Sequence, residues 1–155
     1  MPLTDGAIDF VAYDRHGQVV LLGEAKSSRG TSEKWAAQFR RNLLSHRTLP
    51  YAPFFLIATP EHLYFWRQDR TVGPDEMPNL TIDAKRELKS YFEKWKQSPE
   101  TIGEQRLEFF VWSWLTGLAQ SGHERAKGDA SIRWLSESGL LDALEKGRVE
   151  INLAQ

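Results

Sequence analysis

Three charged residues near the N-terminus have types and spacing that suit phosphodiester chemistry. Asp9 lies near the start of one apolar run, and Glu24 and Lys26 lie at the end of the next. Because side chains alternate along a strand, Glu24 and Lys26 are expected on the same face of a sheet. If the two runs pair as a hairpin, Asp9 comes near Glu24, and two carboxylates and an ammonium meet at one end of the sheet.

The chemistry of this group follows from its charges. Two neighbouring carboxylates repel each other, and one of them would ordinarily take up a proton. Mg²⁺ removes the conflict, because it prefers oxygen ligands and binds one or two carboxylates while keeping several waters. A lysine nearby can orient a water or help deprotonate it, and can offset charge on a phosphate. We therefore predict Asp9 and Glu24 as metal ligands, with Lys26 beside the attacking water.

The elements that must position these residues follow from the apolar pattern. Residues 8–13 show the alternation of a strand, and residues 14–17 form a polar group that ends in glycine and predicts a turn. Residues 19–22 are continuously apolar, which is typical of a strand buried on both faces. The pattern therefore predicts a hairpin that carries Asp9 on one strand and Glu24 on the other.

A helix and two further strands are predicted next. Thr31 or Ser32 is a suitable N-cap for a helix over residues 32–45, whose apolar side chains recur at helical spacing. Residues 54–59 form a short apolar run, and residues 62–67 are rich in aromatic side chains. Both segments are predicted strands that form a second hairpin.

The second half of the chain is predicted to be mostly helical. Residues 68–80 are polar and contain glycine and proline, which predicts a loop or linker. Residues 101–104 have the form of a capping box, and the helix that they open is expected to reach about Gln120. A polar loop is expected over residues 122–130. The last residues are expected to form an edge strand whose apolar positions are Val149, Ile151 and Leu153.

The spacing of the charged residues resembles a known motif. Asp9, Glu24 and Lys26 match the pattern of the PD-(D/E)XK nucleases, the restriction-endonuclease-like superfamily, over roughly residues 7–68. Ile8-Asp9 stands where the family has Pro-Asp, and Glu24-Ala25-Lys26 matches the second half of the motif. The resemblance implies a Mg²⁺-dependent endonuclease in which Mn²⁺ can substitute. It also implies that the backbone carbonyl of Ala25 faces the metal.

The helix after the motif extends the resemblance. Some members of the superfamily carry a glutamine on this helix, facing the active site, with a tyrosine four residues later. Gln38 fits the first of these positions and is a candidate catalytic residue, whereas Asn42 replaces the tyrosine.

The start of the chain departs from the family pattern. Those nucleases usually have a helix, and often a strand, before the motif aspartate, and that helix often supplies another acidic residue. Here the elements are lost, the start is trimmed, or later helices fill their place. We expect the aromatic helix of the second half to pack on the sheet where the first helix would lie, burying Phe110, Trp114 and Leu118.

Basic residues are concentrated just after the proposed site. Arg29, Lys34, Arg40 and Arg41 follow Lys26 closely, and Ser28 adds a hydroxyl in the intervening loop. A phosphate backbone that passes the site would suit this distribution, so these residues are predicted nucleic-acid contacts. The alternative is a solvated helix face with no ligand.

Composition places the chain in an ordinary globular class. It has 155 residues, 41% of them hydrophobic and 26% charged, with a net charge of −1. There is no cysteine and there are only four histidines, so a zinc site is not expected. No apolar run is long enough to span a membrane and no signal peptide is recognised, which predicts a cytoplasmic protein without membrane contact.

The expected architecture is one α/β domain over residues 1–155. Residues 1–70 would carry the motif on a mixed sheet of about four strands with a restriction-endonuclease-like core, and residues 81–155 would form a helical C-terminal part. The expected function is metal-dependent hydrolysis of nucleic acid, chiefly DNA. The alternative is a non-cleaving nucleic-acid-binding or protein-interaction module with the same fold, acting as a homodimer or with a partner subunit.

Overall fold

Six strands form one mixed sheet in the computed structural model, which describes residues 8–68 and 76–152. The strand order is β5-β4-β3-β2-β1-β6, in which β2 and β3 are parallel and every other neighbouring pair is antiparallel. The strands are β1 Phe10–Tyr13, β2 Val19–Ala25, β3 Phe54–Ala58, β4 His62–Arg67, β5 Leu80–Asp83 and β6 Arg148–Ile151.

Helices cover both faces of the sheet. They are α1 Glu33–His46, α2 Ala84–Glu87, α3 Lys89–Lys94, α4 Glu104–Lys127, α5 Arg133–Glu137 and α6 Leu140–Leu144, with a short 3-10 turn at Ala130–Ile132. On one face α1 packs through Ala36 and Leu43. On the other face α4 packs with α5 and α6. The α/β class expected from the sequence is confirmed. No helix in the described ranges has both the length and the apolar character needed to cross a membrane.

The crossover from β2 to β3 follows the predicted pattern closely. Ser32 is the N-cap of α1, and its hydroxyl accepts a hydrogen bond from the backbone N–H of Trp35 at 3.1 Å. Parallel strands need such a crossover, because a tight turn can join only antiparallel strands. The predicted helix is therefore confirmed to within one residue at each end.

The sheet is wider than the sequence indicated, with six strands instead of about four. β5 begins at Leu80, the last residue of the segment predicted as a loop, and was not predicted because only its pairing with β4 makes it a strand. Its four residues are too few to show an alternating pattern, and its last residue, Asp83, also caps α2. β6 is the predicted edge strand and pairs with β1, whereas Leu153 lies outside the described residues. The turn expected at Asp5-Gly6 also lies outside them.

The long helix α4 begins and ends differently from the prediction. Its N-cap is Gly103, without a side-chain cap, so the capping box expected from Thr101 is wrong. The helix continues through the expected loop to Lys127, with a kink at Ser121. Just after the kink, Gly122 packs so closely against α6 that a Cβ atom would lie 2.5 Å from Leu141 Cδ2.

The aromatic face of α4 is buried against the sheet, as expected. Phe110 is 0% exposed, and Trp114 and Leu118 are each 3% exposed. α4 contacts both β2 and β6, so the helix lies over the end of the sheet that carries the motif. Burial of this much aromatic surface is a main source of stability for the C-terminal half.

Gly147 is expected to control the attachment of β6. A Cβ atom at this position would lie 1.9 Å from the carbonyl oxygen of Tyr13, so any side chain must push β6 away from β1. We expect Gly147→Ala to lower the free energy of unfolding by about 2–3 kcal/mol, measured by urea denaturation. Gly128→Ala is the control, since nothing lies near its Cβ position, and it should change stability by less than about 0.5 kcal/mol. Equal effects of both substitutions would contradict this role.

Candidate metal and nucleic-acid site

Asp9 and Glu24 are joined by a reciprocal pair of hydrogen bonds between β1 and β2. The backbone N–H of Asp9 donates to Glu24 Oε1 at 3.0 Å, and the backbone N–H of Ala25 donates to Asp9 Oδ2 at 2.9 Å. The antiparallel register of the two strands, with Phe10 opposite Gly23, brings the two carboxylates together. The structure therefore places Asp9 beside Glu24, as the predicted hairpin requires.

Glu24 is a buried carboxylate with a compensating cation from the chain itself. It is 4% exposed, and its Oε1 accepts a hydrogen bond from Arg47 Nη1 at 3.1 Å. Burial and the neighbouring Asp9 charge raise the pKa of Glu24 to about 7, although Arg47 acts in the opposite direction. Burial also raises the pKa of Asp9, which its hydrogen bond from Ala25 partly offsets. The sequence did not identify Arg47 as a site residue.

Two further carboxylates come from the start of α4, one turn apart. Glu108 is 2% exposed, and its Oε2 has no hydrogen-bond partner in the described part of the chain. Burial raises its pKa to about 7, and the charges of Asp9, Glu104 and Glu24 add to the effect. Glu108 therefore lies within electrostatic range of the motif. The signal in the sequence was a glutamate inside the apolar run of residues 107–112, where a charge is rarely buried without a role.

Lys26 lies between the two helices that flank the sheet. Its Nζ is 3.9 Å from Glu104 Oε1, and 5.6 Å from the centre of the Phe39 ring on α1. Its backbone N–H donates to the carbonyl of Ala58 at 2.9 Å, which keeps β2 paired with β3 beyond Ala25. The charge of Lys26 also lowers the pKa of Asp9, so the ammonium acts on the same carboxylate group.

The chemical type of the candidate ligand atoms suits a hard cation. All are carboxylate oxygens, which Mg²⁺ prefers, and one of them, Glu108 Oε2, is buried without a partner. Within residues 8–68 and 76–152, however, no three histidine, aspartate or glutamate side chains are arranged so that they could hold a metal ion. A cation at this site would therefore require the side chains to move closer together.

Gln38 lies on the exposed side of α1. It lines a groove of about 580 Å³, whose walls also include Trp35, Phe39, Asn42 and Arg47. Arg47 links this groove to Glu24, so Gln38 and the motif carboxylates share a neighbour. Direct contact of Gln38 with a reacting group stays a prediction.

Arg40 is buried, which weighs against the phosphate contact predicted for it. The side chain is 2% exposed and lies over the rings of Phe55 and Trp66, at 5.7 and 5.5 Å from their centres. Its guanidinium also donates to Gln68 Oε1. The helical spacing of residues 40 and 41 allowed one of them to face the core, and tertiary packing selected Arg40.

Arg29 has a positioning role that the sequence did not indicate. Its guanidinium donates to three backbone carbonyls, those of Ser27 at 2.7 Å, Pro99 at 3.1 Å and Ile102 at 2.9 Å. These bonds tie the loop after β2 to the segment that precedes α4, and so place Glu104 beside Lys26. The other predicted nucleic-acid contacts, Ser28, Lys34 and Arg41, have exposed side chains.

The stability of the metal-free protein is expected to fall between about pH 4.5 and about pH 7. Glu24 and Glu108 have ordinary pKa values of 4.5 that rise to about 7 on folding. The folded state therefore binds these protons more tightly, and the stability that they contribute below pH 4.5 is lost as the pH rises through about 7. Melting curves across this range, recorded with a chelator, measure the slope.

Glu108→Gln isolates the contribution of this buried carboxyl to the pH dependence of stability. The substitution should flatten the pH slope and raise Tm at pH 8 by roughly 3 °C, which corresponds to about 1 kcal/mol for a chain of this size. Glu93→Gln, which removes an exposed charge on α3, is the matched control and should keep the parental slope. A parental slope in Glu108→Gln would show that burial of this carboxyl does not destabilise the fold.

Comparison with protein families, with curated proteins and with solved structures finds no match to this chain. The function of the site must therefore be inferred from its own residues, which are the paired Asp9 and Glu24, the buried Glu108, and the cations Lys26 and Arg47.

Proposed function

We propose that this chain is a Mg²⁺-dependent nuclease of the restriction-endonuclease-like superfamily that hydrolyses phosphodiester bonds, chiefly in DNA. The observation that carries the proposal is a group of acids near the end of β2, of which Glu24 and Glu108 are buried and Asp9 is half-buried. Asp9 and Glu24 lie side by side, and Glu108 adds a carboxylate whose Oε2 has no partner among the described residues. Carboxyl groups whose pKa values are raised by burial and by neighbouring charges cluster at functional sites.

The topology supports the same proposal. α4 and β6 follow the motif in the sequence, yet α4 packs on β2 and β6 pairs with β1. Both elements lie beside the motif hairpin. In the nucleases that this chain resembles, a helix and a strand that precede the motif aspartate would lie there. Glu104 and Glu108 on α4 suit the acidic residue that the family helix often supplies.

The proposed roles follow from the positions of the side chains. Asp9, Glu24 and Glu108 are the residues that would hold Mg²⁺, or Mn²⁺ in its place, together with the Ala25 carbonyl. The bound cation would supply a water of lowered pKa and would offset charge on the scissile phosphate. Lys26 holds a positive charge beside this group, where it can stabilise the developing charge of the phosphate.

Arg47 is suited to a supporting role. It pairs with Glu24 in the absence of other cations, and this pairing limits the cost of keeping a buried carboxylate charged. A guanidinium can also bind a phosphate through two hydrogen bonds. Arg47 would thus connect the acidic site to the substrate.

A second candidate function is a nucleic-acid-binding or protein-interaction module that does not cleave. The observation that favours it is that the backbone and Arg47 already satisfy one oxygen each of Asp9 and Glu24. The exposed Trp95 favours the protein-interaction form, because it is 41% exposed and contacts Phe109 on the outer side of α4.

The proposal predicts cleavage that depends on both a metal and Lys26. We expect the parent to cut plasmid or linear DNA with Mg²⁺ or Mn²⁺ and to be inactive with chelator. Lys26→Ala should lower the rate by about 100-fold or more, in line with the loss of one positioned catalytic group. Lys89→Ala, which removes an exposed lysine on α3, should retain the parental rate. A folded parent that cuts neither DNA nor RNA with either metal would refute the nuclease.

Metal binding is expected to stabilise the protein independently of cleavage. A cation that binds only the folded state at 100 times its Kd adds about 2.7 kcal/mol, so Mn²⁺ should raise Tm by several degrees at pH 7.5. Asp9→Asn removes one ligand charge at nearly constant shape and should lose most of this gain. Because the asparagine oxygen can still accept from Ala25, the metal-free Tm should stay close to that of the parent. If Mn²⁺ did not change the Tm of the parent, the nuclease proposal would be refuted and the non-cleaving binding module would remain.

A further inference from the structure

The groove on the outer side of α1 has the composition of a nucleobase site. Trp35 and Phe39 form an aromatic wall, with ring centres 5.2 Å apart and a 65° angle between the rings. Gln38 and Asn42 contribute two amides to the lining, and Arg47 contributes a guanidinium. In the described part of the chain, none of the residues that line this groove is acidic. The volume of about 580 Å³ is within the range of small-ligand sites.

Two residues that line the groove also contact the proposed cleavage site. Arg47, which lines the groove, is 3.1 Å from Glu24 Oε1. Phe39, on the aromatic wall, has Lys26 Nζ 5.6 Å from its ring centre. A ligand in the groove would therefore lie next to the two motif residues at the end of β2.

These residues match the chemistry of an unpaired base. Aromatic side chains bind single-stranded nucleic acid by stacking on base faces, and amides form hydrogen bonds with base edges. A base in a duplex has both faces covered by its neighbours, so only an unpaired or extruded base can enter such a groove. We propose, on the basis of the nuclease function above, that this groove binds an unpaired base of a single-stranded segment adjacent to the bond that is cut.

A second depression continues the path along α1. Lys34, Gln38 and Arg41 line it, so Gln38 belongs to both surfaces. The side chains of Lys34 and Arg41 are exposed on this side of the helix. The two basic residues suit the phosphates that lead away from the bound base, because a single strand is tracked by positive charge along its backbone.

The test is binding without metal, so that cleavage does not interfere. Fluorescence anisotropy with chelator compares a labelled 12-nucleotide DNA strand, the same strand with abasic sites, and the duplex. We expect the parent to bind the base-containing strand roughly tenfold more tightly than either of the others, from the stacking of one or two bases. Trp35→Ala should remove this preference, whereas the control Trp95→Ala, at an exposed tryptophan on the other side of the sheet, should keep it.

A second variant tests the groove even if Trp35→Ala does not fold. Asn42 is exposed, so Asn42→Glu should fold normally while placing a negative charge in the groove. It should weaken binding of the base-containing strand by about tenfold or more at low salt. Parental affinity in a folded Asn42→Glu variant would overturn the assignment of the groove.

The outcomes separate this inference from the nuclease proposal. Equal affinity of the parent for the abasic and base-containing strands would overturn the base site, even if Mg²⁺-dependent cleavage is observed. Competition by a mononucleotide as effective as that by the strand would overturn the single-stranded ligand in favour of a free nucleotide. Base-dependent binding without cleavage under any metal condition would support the groove and refute only the nuclease.

Discussion

The structure depends on how two carboxylates are kept together at the end of β2. Asp9 and Glu24 each accept a hydrogen bond from the backbone of the other's strand, so their side chains extend the pairing of β1 and β2. The backbone bonds favour the charged forms, whereas burial favours the neutral form of both carboxyls. The charge of Asp9 also favours the neutral form of Glu24, and the charge of Glu104 favours that of Asp9. The remaining excess of negative charge must be offset by a proton, by Arg47 or by an external cation.

The surrounding elements bring further charged side chains to these two carboxylates. α1 brings Arg47 to one side of the site, and α4 brings Glu104 and Glu108 from the other. Arg29 ties the loop after β2 to the segment before α4, so the two halves of the site keep their spacing. The acidic residues of α4 increase the local negative charge, although a fold selected only for stability would avoid it.

The same arrangement connects chemistry to recognition. Arg47 belongs both to the acidic site, through Glu24, and to the aromatic groove on α1. Lys26 likewise contacts Glu104 and lies over Phe39. Residues that belong to both regions would couple neutralisation of the acids to occupation of the groove. A substrate could then be positioned by stacking and by phosphate contacts before any bond is broken.

Local patterns in the sequence were enough to predict the α/β class, the hairpin and a helix cap at Thr31 or Ser32, because each depends on neighbours within a few residues. The apolar character of residues 107–118 was enough to predict that Phe110 is buried. The predicted hairpin also placed Asp9 near Glu24, and the side-chain period of a strand placed Glu24 and Lys26 on one face. Only the tertiary structure decided that Arg40 is buried, that Arg29 binds backbone carbonyls and that Glu108 lies near the motif. These outcomes depend on contacts between segments far apart in the chain, which no local spacing encodes.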